Sequence, residues 1–197
     1  MEAMIIPTRN QCLFMMEQVQ MPKHIRKHSI VVARIAVSLG CLLNQNSVRL
    51  NLGLLEAAAL LHDIAKAQTI STGERHEEVG ARMLESWGYD MLSPLVREHV
   101  ILDLKTLCGP ITESLVVNYA DKRVKHDQIV SLSDRFFDLI SRYAKTKEQR
   151  SWLQEKFDLY RRLESKLFKH LAITPDSLDQ LCLSRDDVLD RADIQRS

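Results

Sequence analysis

The chain has 197 residues, 45% of them hydrophobic and 27% charged, a balance near the globular average that excludes wholesale disorder and allows one buried core. With 27 basic and 26 acidic side chains the net charge is +1, which excludes the electrostatic footprint of a duplex nucleic-acid binder. Cys12, Cys41, Cys108 and Cys182 are scattered without a C-x-x-C pair, which argues against a zinc ribbon or a disulfide framework.

The first residues, MEAMIIPTRN, carry no basic segment followed by a long apolar one, so no signal peptide is expected. The longest apolar run, LLEAAALL, stays far below the roughly 18 residues of a membrane span. The expectation is a soluble, cytoplasmic protein with reduced thiols and no membrane partner.

Few glycines and prolines interrupt the chain, which favours helices. From His28 onward, Ile30, Val31, Ala33, Ile35, Val37 and Leu39 form the rich face of a long helix, predicted to end at Gly40 or at Asn44–Asn46. Leu54 to Ala65 reads as a buried helix, and 67–75 as a polar connection. His76 to Trp87 is helical, with Gly88 as its stop, and Leu92 to Leu102 follows with Pro94 in its first turn. After the break at Cys108-Gly109-Pro110, Thr112 is the expected N-cap of a helix reaching about Val124.

Ser131–Tyr143 and Lys147–His170 are predicted as amphipathic helices. The apolar stripe of the second, which includes Trp152, Phe157, Tyr160 and Leu163, packs most simply on the bundle, with a homodimer interface as a second use. Thr174-Pro175-Asp176 looks like the start of a last short helix, and the polar tail after Leu189 is expected to fray. No β-alternation of useful length occurs. The predicted fold class is all-α, a bundle of about eight or nine helices.

His62 and Asp63 are adjacent at the end of the apolar run AAALLHDIAK. Neighbours on a helix point about 100° apart, so both cannot face a core in the ordinary way. A carboxylate at the end of such an apolar helix needs a partner, and a metal ion bound by imidazole and carboxylate is one. His28 in HSIVVARIA, His76 in HEEVGA, His99 in VREHV and Asp121 in VVNYADKR stand on other predicted helices. Each alone reads as a surface or capping residue. Together they are the kind of set from which helical bundles build metal sites.

The order H…HD…H…H…D resembles the HD superfamily of metal-dependent phosphohydrolases. The likeness is also local: H-S-x-x-V-A-x-x-A at His28, A-A-L-L-H-D-I-A-K at His62-Asp63, H-x-x-V-G-A at His76 and Y-A-D-K-R at Asp121. It runs from about Lys23 to Tyr143. The resemblance divides the chain into an N-terminal helix at 1–22, an HD core at 23–145 and a C-terminal helical extension at 146–197. The set is most similar to the branch of bacterial symmetric dinucleoside tetraphosphatases, and LEAAALLHDIAKA is also similar to HD modules associated with molybdenum-cofactor cytidylyltransferase-like proteins. One departure stands out: those tetraphosphatases tend to read H-T-T-G where this chain has His99-Val100-Ile101-Leu102.

By this resemblance His28, His62, Asp63 and Asp121 hold a first metal, Asp63 bridges, and His76 and His99 hold a second. Two ions about 3.5–4 Å apart can clamp phosphoryl oxygens and acidify water. The ligand set suits Fe, Mn, Co, Ni or Zn. Asp63 and Lys66 are the catalytic candidates, and Lys66, Arg123 and Arg135 the candidates for holding phosphate. His24, one turn before His28, reads as rim or surface, and Lys122, Lys125 and His126 as a small basic cluster. The implied activity is hydrolysis of a phosphoester or phosphoanhydride of a nucleotide-like small molecule. The alternative is a non-catalytic HD module that binds a nucleotide or regulates a partner protein. No GYP triplet follows the HD pair, which disfavours the cyclic-dinucleotide branch.

Overall fold

A computed structural model describes residues 5–169 and 171–182, and their regular structure is almost entirely helical. Helix α1 (Arg9–Gln18) opens with a capping box: the Gln11 amide donates to the Thr8 side chain, and the Gln11 carboxamide oxygen accepts from the Thr8 amide. It buries Cys12 and Met16, and Arg9 Nη1 meets Glu56 Oε1 at 2.6 Å, fastening it to the next layer.

Helix α2 (Lys23–Gln45) turns apolar residues from Ile25 to Leu43 inward, against α3 (Leu52–Leu61) and α8 (Glu113–Lys122). By length and composition α2 could cross a membrane, yet its apolar face serves as the core of the bundle. Gly40 does not end this helix. It lies inside it, where a Cβ would stand 2.5 Å from Leu55 Cδ2, so the missing side chain allows α2 and α3 to approach closely.

Asn51 caps α3 by accepting from the Leu54 amide, and Ala57 to Leu61 are buried throughout. The helix stops before the predicted Ala65: His62 is its C-cap, the residues after it turn, and α4 (Lys66–Thr72) begins. This short helix occupies most of the stretch read as a polar connection. It escapes periodicity because Thr69 is its sole buried residue. Helix α5 (His76–Ser86) ends before Gly88, whose φ of +80° fits its predicted role as stop.

Helix α6 (Ser93–Glu98) is shorter than predicted, with His99 at its C-cap, and α7 (Leu104–Cys108), capped by Asp103, was not foreseen. Thr112 caps α8 as expected. Strands β1 (Val124–Lys125) and β2 (Gln128–Ile129) then pair antiparallel around a turn in which His126 has φ +58°. Two-residue strands are too short to show alternation in a sequence. Helix α9 (Leu132–Tyr143) is capped by Ser131, and α10 (Lys147–Phe168) by the Thr146–Gln149 capping box. A 3₁₀ turn covers Pro175–Ser177. The fold is all-α, with ten α-helices among the described residues instead of eight or nine. His170 and the tail after Leu189 lie outside the described residues.

Leu153, Tyr160, Leu163 and Leu167 bury the apolar stripe of α10, which packs on α7, α8 and α9.

Candidate metal centre

Helix ends carry most of the site. His62 and Asp63 follow α3, His76 is the first residue of α5, His99 is the C-cap of α6, and Asp121 lies in the last turn of α8. His28 does not open its helix, as its sequence context suggested, but stands in the second turn of α2. All six side chains converge. His28 Nε2 is 3.0 Å from Asp121 Oδ1, His62 Nε2 is 3.8 Å from that oxygen and 3.4 Å from Asp63 Oδ2. Asp63 Oδ1 is 3.3 Å from His76 Nε2 and 3.8 Å from His99 Nε2.

Three rings are oriented by backbone carbonyls. His62 Nδ1 donates to Ala59 O at 2.7 Å and His99 Nδ1 to Val96 O at 2.6 Å, in each case three residues back, among the carbonyls that a helix C-terminus leaves without an intrahelical partner. His28 Nδ1 donates to His126 O at 2.9 Å, the carbonyl that the left-handed His126 backbone turns inward. A proton fixed on Nδ1 leaves Nε2 as the ligating nitrogen, and metal-binding histidines are commonly held this way. His76 is more open, with Glu77 Oε2 3.4 Å from its Nδ1.

Burial opposes charge on His62, but Asp63 outweighs it and holds this imidazole above the usual histidine range. Burial also opposes ionisation of Asp63, yet His62, His76 and Lys66 keep it well below the ordinary carboxylate range. Asp121 behaves alike, with Lys122 and then His28 and His62 overcoming burial. His99 goes the other way: burial, reinforced by the charge on His62, pushes it down to about 3, so it stays neutral and available as a ligand.

Two groups of donors emerge that could hold a metal, His28–His62–Asp63 and Asp63–His76–His99, each with ligand atoms within 4.8 Å of one another. Among the described residues, His62 Nε2 and Asp63 Oδ1 are buried without a hydrogen-bond partner. Leaving a buried polar atom unpaired costs about 1–3 kcal/mol, more when charged. A cation between imidazole nitrogens and carboxylate oxygens supplies that partner, so the residues present fit a metal ion.

The centre opens into a cavity of about 350 Å³ lined by His24, His28, Asp63, Lys66, Arg135 and Arg142 among others. Lys66 Nζ lies 2.6 Å from Asp63 Oδ2, and His24 is exposed at the rim. Arg135 lines the same cavity, with Nη1 3.5 Å from Asp138 Oδ2.

Arg123, a sequence candidate for holding phosphate, does not reach this cavity. It is buried on another side of α8, where it donates to Tyr119 Oη, Glu164 Oε2, Val130 O and Pro175 O. Two residues along a helix differ by about 200°, so Arg123 points away from Asp121. Its place is structural, tying α8 to α10 and to the 3₁₀ turn.

Residues that sequence reasoning undervalued include Lys122, which it read only as a member of a small basic cluster. Its ammonium is largely buried and donates to Asp121 Oδ2. The His126 carbonyl carried no signal at all, because a backbone contact across a two-residue hairpin turn has no residue-type signature.

A helical bundle gathering imidazoles and carboxylates from helix ends into one buried cluster belongs to the class of helical metal-site folds. The sequence model of the HD domain family matches residues 25–138, a span that is more than half of the chain and contains all six converging residues, and the chain belongs to that family. No curated protein and no solved structure matches it.

Proposed function

We propose that the chain is a metal-dependent phosphohydrolase that cleaves a phosphoester or phosphoanhydride of a small molecule. The observation that carries this reading is the placement of Asp63, which turns Oδ2 toward His62 and Oδ1 toward His76 and His99. His28, His62, Asp63 and Asp121 would hold one ion, and Asp63 with His76 and His99 a second. A divalent ion bound there supplies Lewis acidity toward phosphate oxygens and toward water.

The chain's own residues account for the rest. Lys66, Arg135 and Arg142 line the cavity and offer positive charge to the non-bridging oxygens of a phosphoryl group. The burial of Asp63, His62 and His99 keeps bulk water away from the donor cluster. Water adds to phosphorus, the P–O bond to the leaving group breaks, and the proton given up by water is taken by the departing oxygen. The two added histidines at Asp63 support the likeness to the symmetric tetraphosphatase branch, whereas Val100-Ile101-Leu102 after His99 argues for a different neighbouring pocket and substrate.

The test is phosphate release from a panel of nucleoside mono-, di- and polyphosphates and dinucleoside polyphosphates, by protein loaded with Mn, Fe, Co, Ni or Zn. Wild type is expected to release phosphate from at least one compound, and Asp63→Ala to release none. A metal-loaded wild type inactive on the whole panel would favour the non-catalytic binding module.

A further inference from the structure

Helix α9 carries Arg135, Asp138 and Arg142 at the three- and four-residue steps that share one helix face. Both arginines line the cavity of the metal centre, and Asp138, between them in the helix, is buried. Its carboxylate meets three cations. Oδ1 is 3.0 Å from Lys125 Nζ and 3.1 Å from Arg142 Nε, and Oδ2 is 3.5 Å from Arg135 Nη1. Burial opposes ionisation of Asp138, but Lys125, Arg142 and Arg135 outweigh it and hold the carboxyl below its ordinary range.

Arg142 is held at a second point. Its Nη2 lies 3.3 Å from His126 Nε2, and since arginine has no acceptor, that imidazole nitrogen accepts. The carbonyl of the same histidine accepts from His28 Nδ1, so the hairpin turn joins the guanidinium to the metal centre. Arg135 is less satisfied: its Nε is buried without a hydrogen-bond partner. One carboxylate shared among three cations leaves this group a surplus of two positive charges, close to the charge of a phosphate dianion at neutral pH.

We propose that Asp138 is a positioning residue that holds Arg135 and Arg142 as a fixed clamp for a phosphate dianion in the cavity beside the metal centre. The inference rests on the phosphohydrolase reading and deepens it by naming what orients its anion-binding side chains. Donors already held in place bind charge without first losing their own freedom. The proposal fixes a sign. Acting through space alone, the Asp138 charge would repel phosphate, and neutralising it would strengthen binding. Acting through the arginines it supports binding, and neutralising it weakens binding.

The probe is inorganic phosphate, titrated calorimetrically into full-length, metal-loaded protein freed of unbound metal. Wild type should bind it saturably. Asp138→Asn should bind it about tenfold more weakly, the lower end for losing a hydrogen bond to a charged group, at wild-type metal content. Arg142→Lys keeps the charge at a partly exposed position but loses the two-point hold, and should weaken binding as far as Arg142→Gln does. In the Arg142→Gln background, Asp138→Asn should weaken phosphate binding by a smaller factor than in wild type, whereas a merely structural role would give the same factor in both. Equal or tighter phosphate binding in Asp138→Asn, loss of metal in that variant, or wild-type affinity in Arg142→Lys overturns the clamp, and so does a wild type that binds no phosphate. If Asp138→Asn does not fold, the comparison of Arg142→Lys with Arg142→Gln decides. Should the clamp fail while wild type still releases phosphate from a compound of the panel, the hydrolase reading stands without it. If the losses appear as expected but no compound of the panel is hydrolysed, the hydrolase reading is the one that fails.

Discussion

The Nε2 atoms of His76 and His99 stand 3.3 Å apart, although the two residues come from the start of one helix and the end of another. His99 is pinned by its bond to Val96 O, and Asp63 Oδ1 lies within 3.8 Å of both rings. The two ring nitrogens and the carboxylate oxygen together form one of the two groups of donors that could hold a metal ion.

Metal should therefore stabilise the fold measurably. A ligand at a hundredfold excess over Kd that binds only the folded state adds about 2.7 kcal/mol. For a domain of this size that corresponds to a Tm higher by about 5–10 °C. Thermal denaturation of chelator-treated protein with and without Mn checks it. An unchanged Tm would speak against a site linked to folding.

Acid should destabilise chelator-treated protein in two windows. His99 sits at about 3 when folded against 6.5 in the ordinary range, so the unfolded chain takes up a proton that the folded chain refuses, and stability falls as pH drops from 6.5 toward 3. Asp63 and Asp121 are depressed, so their contribution is present above 3.8 and is lost as pH falls through their lower folded values. His62 acts in the opposite sense: its raised value gives a contribution complete below 6.5 and lost as pH rises through the folded value. Urea denaturation from pH 4 to 8 should show a shallower acid limb in His99→Gln, by up to about 1.4 kcal/mol per pH unit. Equal slopes in the two proteins would sink the assignment.

Lys66 and Arg135 should affect turnover more than metal binding. Each offers charge from the cavity wall, and neither stands in a group of candidate metal donors. A hydrogen bond to a charged group contributes about 1.5–3 kcal/mol, which is roughly 10- to 150-fold in kcat/KM. Lys66→Ala and Arg135→Ala should show losses of that order at wild-type metal content. Loss of metal in Lys66→Ala would instead make Lys66 a support for Asp63.

Arg123→Ala should behave as a stability variant. It removes a buried guanidinium with four partners and leaves Glu164 without its ion pair. A cost of about 2–4 kcal/mol is expected. Urea denaturation measures it, and metal content of the folded fraction should match wild type.

The sequence made the helices legible where apolar spacing or capping chemistry was strong, as at α2, at α8 behind Thr112 and at α9 behind Ser131. It hid α4 and α7, which bury almost nothing and so have no apolar period. The six residues that converge were all visible, because imidazoles and carboxylates at the ends of apolar helices are conspicuous. Arg123 misled because nearness in sequence to Asp121 is not nearness across a helix. Lys122 and the His126 carbonyl were illegible for different reasons: Lys122 pairs with its own neighbour Asp121, but its burial depends on how α8 packs, and His126 meets His28 across the fold.

The most direct test of the central claim is the metal content of untagged protein, purified without chelator and measured by inductively coupled plasma mass spectrometry beside His76→Ala. The account predicts about two transition-metal ions per chain in wild type, one for each group of donors that shares Asp63, and about one in His76→Ala, where the His28–His62–Asp63 group is intact. A wild-type protein that binds no metal, even after incubation with Mn, Fe or Ni, would contradict it.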